Sequence, residues 1–109
     1  MATTRKTLAQ AALAATTLTD VYTVPVSTST VVSTITVCNR DSVAATIRLS
    51  VAIAGAADST KQYLIYGTTC PGNETIWITI GATLAATDVL RAWASAATVS
   101  VNVFGEETL

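Results

Sequence analysis

The feature that most constrains the fold is the stretch from Val31 to Ile53, in which apolar and polar side chains alternate around a short polar break. Alternation with a period of two, carried by β-branched residues, is typical of half-buried strands. The break, Asn39-Arg40-Asp41-Ser42, contains residues that favour turns because their side chains bond to nearby backbone. The stretch predicts a central β-hairpin whose apolar face carries Val31, Ile35 and Val37, then Ala45, Ile47, Leu49, Val51 and Ile53.

Five further segments have alternating or β-branched composition, and turn signals such as Pro71-Gly72 separate them. They predict strands at 18–24, 61–66, 75–80, 88–94 and 98–104, a loop at 68–73, a helical turn or crossing loop at 81–87, and a polar tail at 105–109. Strands at this spacing, with no amphipathic helix between them, are typical of sandwiches and jelly rolls. The sequence predicts an all-β fold: a single antiparallel β-sandwich or jelly-roll-like domain of about seven to eight strands.

The first seventeen residues look different, because two cations precede a weakly apolar, alanine-rich run. A signal peptide has this order of charge and apolarity, but Gln10 interrupts the run and large apolar residues are few. We therefore expect residues 1–17 to be an extended or briefly helical N-terminal arm that lies along a neighbouring subunit, and residues 18–109 to be the sandwich domain. The arm supplies four candidate interface residues: Arg5, Lys6, Leu8 and Leu13.

Charge is scarce, at 12% of residues against about 25% in an ordinary globular domain. The six cations are dispersed, whereas a nucleic-acid binder clusters its cations to displace counterions from phosphates. No run approaches the roughly 20 apolar residues of a membrane-spanning helix. From these observations we expect no nucleic-acid partner and no membrane partner. Since few charges are available to cover the surface, we expect part of it to be hidden in a homo-oligomer.

No residue set suggests a reaction, so we expect no enzyme, no cofactor and no metal site. The chain has no histidine, which excludes the usual triads and most zinc ligand sets. Most carboxylates fall at predicted strand ends and turns, where they are ordinarily solvated or cap backbone groups. Cys38 and Cys70 match no metal or redox spacing, and they are either free thiols or a disulfide within or between subunits.

Four aromatic residues lie on predicted strands and have two interpretations. Rings on strands commonly pack in a core or at a subunit interface, where a large rigid side chain contributes much of the contact energy. Alternatively, exposed rings form a platform for sugars. The residues are Tyr63, Tyr66, Trp77 and Trp93.

Several segments together resemble a group of small structural proteins encoded by tailed bacteriophages. They are LTDVYTVP, VVSTITVCNRDSVAATIRLSVA, GAADSTKQYL, TLAATDVLRAWAS and VSVNVFGEE, which cover nearly the whole chain after residue 17. The shared motifs are structural: a YTVP strand end, a CNR turn and an AATDVLR strand entry. The loop Cys70-Pro71-Gly72 departs from this pattern.

The resemblance implies a virion component present in many copies, made in the host cytoplasm and displayed on the particle surface. Its first implied role is a capsid decoration or cement protein, whose partners are other copies of itself and the major capsid protein. A tail, baseplate or fibre-associated component, with tail or baseplate partners, is the alternative within the same class. A host-glycan binding module built on Tyr66, Trp77 and Trp93 is the alternative from another class.

Overall fold

The computed structural model describes residues 2–109, so Met1 of the predicted arm lies outside the described residues. Eight β-strands account for most of the chain, and 3-10 helices at Ile53–Gly55 and Thr60–Gln62 interrupt its middle. The strands are β1 (Thr3–Ala12), β2 (Thr19–Thr23), β3 (Ser29–Asn39), β4 (Ala45–Ala52), β5 (Tyr63–Cys70), β6 (Thr75–Leu84), β7 (Val89–Ala94) and β8 (Val99–Thr108).

The strands form two four-stranded sheets that pack face to face. Sheet A has the order β1-β8-β3-β6, and sheet B has the order β2-β7-β4-β5. Within them β1 pairs with β8, β2 with β7, β3 with β6 and β4 with β5, all antiparallel. In this nested pairing the first half of the chain pairs with the second half, as in a long hairpin folded at the chain's midpoint. The resulting ribbon of paired strands wraps into two layers, which is the jelly-roll arrangement. The predicted all-β sandwich is confirmed.

The predicted central hairpin is wrong. β3 lies in sheet A between β8 and β6, whereas β4 lies in sheet B between β7 and β5. The polar break is therefore an arch that carries the chain from one sheet to the other. Buried Asn39 anchors it: its Nδ2 donates to the carbonyls of Val43, at 2.8 Å, and Cys70, at 3.3 Å, while Thr98 Oγ1 donates to its Oδ1.

The prediction of which side chains of β3 and β4 face the core is correct near the arch that joins the two strands and wrong at the strand ends farthest from it. Ile35, Val37, Ile47 and Leu49 are fully buried. A β-bulge at Ser33 changes the parity of β3, so that Val32 is buried in the core and Val31 is only half-buried. A bulge adds one residue to a strand and turns every preceding side chain to the other face. At the far end of β4, Val51 is half-buried and Ile53 is exposed.

The predicted N-terminal arm is also corrected, because its described part belongs to the sandwich. β1 pairs with β8 from Thr3 opposite Thr108 to Ala12 opposite Ser100, and Leu13 is buried in the core. Residues 105–108 of the predicted polar tail are the part of β8 that pairs with the start of β1. Alternation was hard to detect here because two of the residues that β1 packs against the core, Ala9 and Ala11, are small, and a bulge at the third, Leu8, interrupts the pattern.

Two predicted loops are instead largely strand. β5 continues to Cys70, and β6 continues through Gly81 to Leu84, so that the loop between these strands is reduced to residues 71–74. Gly81 has a positive φ of 57° within a second bulge, a conformation that glycine adopts without steric cost. Leu84, at the end of β6, is buried in the core.

Candidate interaction surfaces

One lateral edge of the sandwich is formed by strands without charged residues. These are the outer strands β5 of sheet B and β6 of sheet A, and neither contains Asp, Glu, Lys or Arg. Four large apolar side chains are exposed on it: Leu64 (49%), Tyr66 (64%), Trp77 (72%) and Ile80 (37%). We call this surface the uncharged edge. Its strands present unpaired backbone groups beside apolar side chains, which together favour association with another chain.

The opposite lateral edge, formed by β1 and β2, is charged. Arg5 Nε lies 3.5 Å from Glu106 Oε2, and Lys6 Nζ lies 2.8 Å from Glu107 Oε1. On β2, Asp20 accepts a hydrogen bond from Arg91 at 2.8 Å. We call this surface the charged edge. Charged side chains on an outer strand discourage pairing with other strands, because docking would strip them of water.

A buried polar cluster closes the sandwich behind the charged edge. The Tyr22 hydroxyl, on β2, donates to Glu107 Oε2 of β8 at 2.5 Å. The Thr30 hydroxyl of β3 lies 2.8 Å from the Tyr22 hydroxyl oxygen, and Lys6 of β1 pairs with Oε1, the other carboxylate oxygen of Glu107. The cluster therefore joins four strands from both sheets. Burial, with the neighbouring Glu107 carboxylate, raises the pKa of Tyr22 to about 12. The bonds from Lys6 and then Tyr22 lower the pKa of Glu107.

A second side-chain cluster lies on the outer face of sheet B. Arg48 of β4 is the register partner of both Tyr66 on β5 and Trp93 on β7, so the three form one row across adjacent strands. The Arg48 guanidinium carbon lies 4.2 Å from the Tyr66 ring centroid and 4.0 Å from that of Trp93. Tyr63 meets Tyr66 edge-on, with centroids 4.9 Å apart. We call these four residues the arginine cluster. Cation–π contact of this kind holds the guanidinium in a fixed plane.

The structure brings together three of the four predicted aromatic residues, since Tyr63, Tyr66 and Trp93 all belong to the arginine cluster. Trp77 does not join them, because β6 lies in the other sheet. Arg48, the residue at the centre of the cluster, was not predicted from the sequence. Its place on the polar parity of β4 was visible, but its two aromatic neighbours follow from the strand register, which local alternation does not reveal.

The four candidates from the predicted arm have different surroundings. Leu13 is in the core and Leu8 packs partly against it, so Leu13 offers no surface to a partner. Arg5 and Lys6 are exposed and line an open groove of about 570 Å³ on sheet A, beside Ser33. Both cations are already paired with the glutamates of β8, so this groove has no free charge to attract a ligand.

Both cysteines are free thiols in the structure. Cys70 is buried at the end of β5, where its Sγ lies 3.7 Å from the Val37 carbonyl oxygen and 3.6 Å from that of Glu74. Burial raises the pKa of the Cys70 thiol. Cys38 follows core-facing Val37, so it points to the opposite face of β3. The two thiols therefore lie on different sides of one strand.

Other kinds of site find no support in the part of the chain that the structure describes. Within residues 2–109, no group of three or more His, Cys, Asp or Glu side chains is placed to hold a metal ion. The same residues include no helix long and apolar enough to cross a membrane.

Comparison with known protein families finds no family model that matches the chain, and comparison with curated proteins finds no match.

Proposed function

We propose that this chain is a structural protein of a tailed bacteriophage particle, and that it decorates the head by bridging neighbouring capsid subunits. The observation that carries the proposal is the uncharged edge: two adjacent outer strands without a charged residue, exposing Leu64, Tyr66, Trp77 and Ile80. In this proposal the protein acts through contact area and performs no chemistry.

The contrast with the charged edge supports this proposal. An isolated sandwich protects its outer strands with charges, short length or a covering segment. β1 carries Arg5 and Lys6, but β6 is as long as β1, ten residues, and carries none. A partner that covers β5 and β6 would bury apolar surface and satisfy the unpaired backbone groups at the same time. Binding to a partner is therefore the best explanation for the exposed apolar side chains on β5 and β6.

Two further observations are consistent with a particle component. The sequence resembles small structural proteins of tailed phages, and jelly rolls are widespread as capsid domains. A jelly roll also hosts unrelated functions, so the fold by itself assigns none. The uncharged edge, and not the fold, is therefore what supports a role in assembly.

The first test is the copy number of the chain in purified particles, measured by quantitative mass spectrometry against the major capsid protein. The proposal expects near-stoichiometric abundance. A few copies per particle would contradict head decoration and place the chain in the tail or baseplate.

The second test introduces a charge into the proposed interface. Trp77→Lys replaces an exposed ring on β6, so the domain should stay folded while its binding to heads lacking the protein falls at least tenfold, the order expected for an interface aromatic. Gln10→Lys is the matched control, because Gln10 lies at the far end of the same cross-strand row of sheet A, on β1. Equal loss of binding in both variants would argue against the uncharged edge as the interface.

A further inference from the structure

Two arginines lie on the outer face of sheet B, and their surroundings differ. Arg91 is fully engaged: its Nε bonds to Asp20 at 2.8 Å, and its terminal nitrogens bond to the carbonyls of Ala56 at 2.8 Å and Gly55 at 3.2 Å. Arg91 therefore ties the midpoint segment of the chain to β2. Its role is structural, and it has few donors left for a ligand.

Arg48 has no such partners among residues 2–109. No carboxylate there lies within ion-pair distance of its guanidinium, and its Nε is buried without a hydrogen-bond partner. Two more buried polar atoms on this side of sheet B, Ser50 Oγ and Gln62 Oε1, also lack partners. Native proteins pair nearly all such atoms. The carboxylate of Asp58 interacts with the Tyr63 hydroxyl of the cluster but forms no ion pair with Arg48, so the guanidinium is incompletely satisfied.

The two rings limit which hydrogen-bond donors of Arg48 a ligand can reach. The guanidinium carbon lies over the rings of Tyr66 and Trp93, at 4.2 and 4.0 Å, on the two strands that flank β4, and Nε is buried. The terminal N–H groups are therefore the donors that a ligand can reach. A guanidinium edge matches the two oxygens of a carboxylate. Because the rings exclude water from the part of the guanidinium that they contact, a hydrogen bond to its terminal N–H groups is stronger than it would be at a fully solvated arginine.

We propose that the arginine cluster is a binding site for an acidic saccharide, with Arg48 holding the carboxylate of a uronic-acid residue and the exposed ring of Tyr66 packing against the C–H face of a sugar. Tyr66 is 64% exposed, so one face of its ring is open to a ligand. A pyranose ring has an apolar C–H face of similar size to a phenol ring, and stacking of this kind combines with the charged contact to fix orientation.

The neighbours of Arg48 favour a saccharide over a carboxylate of a partner protein. A protein interface surrounds a central arginine with apolar contacts that exclude water. Next to Arg48 along β4, the outer face instead carries Thr46, whose register partner is Thr69 of β5, and Ser95 lies beside them. Hydroxyl groups beside a ring and a cation are the surroundings that sugar hydroxyls require. Tyr66 belongs both to the arginine cluster and to the uncharged edge, so a copy of the chain can bind the saccharide only where no partner covers Tyr66.

The experiment measures binding of hexagalacturonate to the full chain in a Trp77→Phe background, so that Trp93 in the cluster is the only tryptophan. The fluorescence of Trp93 should change on titration, and the fully methyl-esterified hexamer, which keeps the rings and loses the charge, should bind at least tenfold more weakly. Arg48→Gln should weaken hexagalacturonate binding by a similar factor. Arg40→Gln, at an exposed arginine of the β3–β4 arch, is the control and should have no effect.

Each other outcome overturns the proposal. Equal binding of the esterified hexamer would remove the carboxylate from the site. A glutamate hexapeptide that binds as tightly as hexagalacturonate would indicate a protein carboxylate as the ligand. No binding of hexagalacturonate up to about 10 mM would leave the cluster purely structural. Should Arg48→Gln fail to fold, Tyr66→Leu tests the same site, because its exposed ring is not needed for the core and its loss should also weaken binding.

Discussion

Both lateral edges of this sandwich are formed by two outer strands, but one edge carries ion pairs and the other carries exposed apolar side chains. At the charged edge, Lys6 and Glu107 reach inward to Tyr22 and join the sheets through a buried polar cluster. At the uncharged edge, Trp77 and Leu64 are exposed and no ion pair spans the strands. One edge is therefore completed by an ion pair and buried hydrogen bonds within the chain, whereas the other leaves apolar side chains exposed, which is where we propose that a partner binds.

The largest effect is expected from the two glycines that bring backbones together near each edge. A Cβ at Gly105 would overlap the Val31 carbonyl between β8 and β3, and a Cβ at Gly72 would overlap the Ser42 carbonyl between two loops. Gly105→Ala should cost about 3 kcal/mol or more, because a strand paired on both sides has no room to shift. Gly72→Ala should cost less, since loops relax more easily. Urea denaturation measures both.

Gly81→Ala is the control for these glycines. Its φ is 57° but its Cβ would meet no atom within 4 Å, so only backbone strain of about 1 kcal/mol is expected. A Gly105→Ala variant no less stable than Gly81→Ala would mean that the β3–β8 contact is not the rigid part of sheet A.

The next effect concerns the buried cluster at the charged edge. Tyr22→Phe removes one hydroxyl and leaves Glu107 and Thr30 each without a buried partner. We expect a loss of about 1–2 kcal/mol in the free energy of unfolding. Tyr66→Phe removes an exposed hydroxyl at the other edge and should leave stability unchanged. If the two variants were equally stable, the cluster would not be what closes the charged edge.

The smallest effect is the acid dependence of the same cluster. The folded pKa of Glu107 is lowered, chiefly by Lys6, so the ionised carboxylate favours the folded state at pH values above its unfolded pKa. This contribution is lost as the pH falls below about 4.5, through the depressed folded pKa. In Glu107→Gln the fall in Tm on acidification should be shallower than in the original chain. Parallel curves for the two proteins would refute the assignment.

The parts of the fold that could be predicted from sequence are those that residue alternation encodes. Ile35, Val37, Ile47 and Leu49 were placed correctly because each strand has one buried face, whichever strand it pairs with. For the same reason alternation did not reveal that β3 and β4 lie in different sheets. The bulge at Ser33 has no distinctive residue, and β1 packs with small alanines, so neither gives a strong local signal.

The candidate sites follow the same distinction. The aromatic residues were recognised individually, but the grouping of Tyr66 and Trp93 around Arg48 depends on the register of three strands that are distant in sequence. The separation of Trp77 depends on which sheet receives β6. For Cys38 and Cys70 the sequence left free thiols and a disulfide both open, because nothing in it places them on opposite sides of β3.

The pairing of β1 with β8 brings the two ends of the described chain together. Thr3 lies opposite Thr108, and the Leu109 amide donates to the Ala2 carbonyl at 3.0 Å. Polypeptides fused before and after the domain would therefore emerge side by side at one corner. A short linker would join these ends into a circular permutant, with new termini opened in the exposed segment between β4 and β5. A protein fused to these new termini would extend from the segment between β4 and β5, which is the midpoint of the folded ribbon.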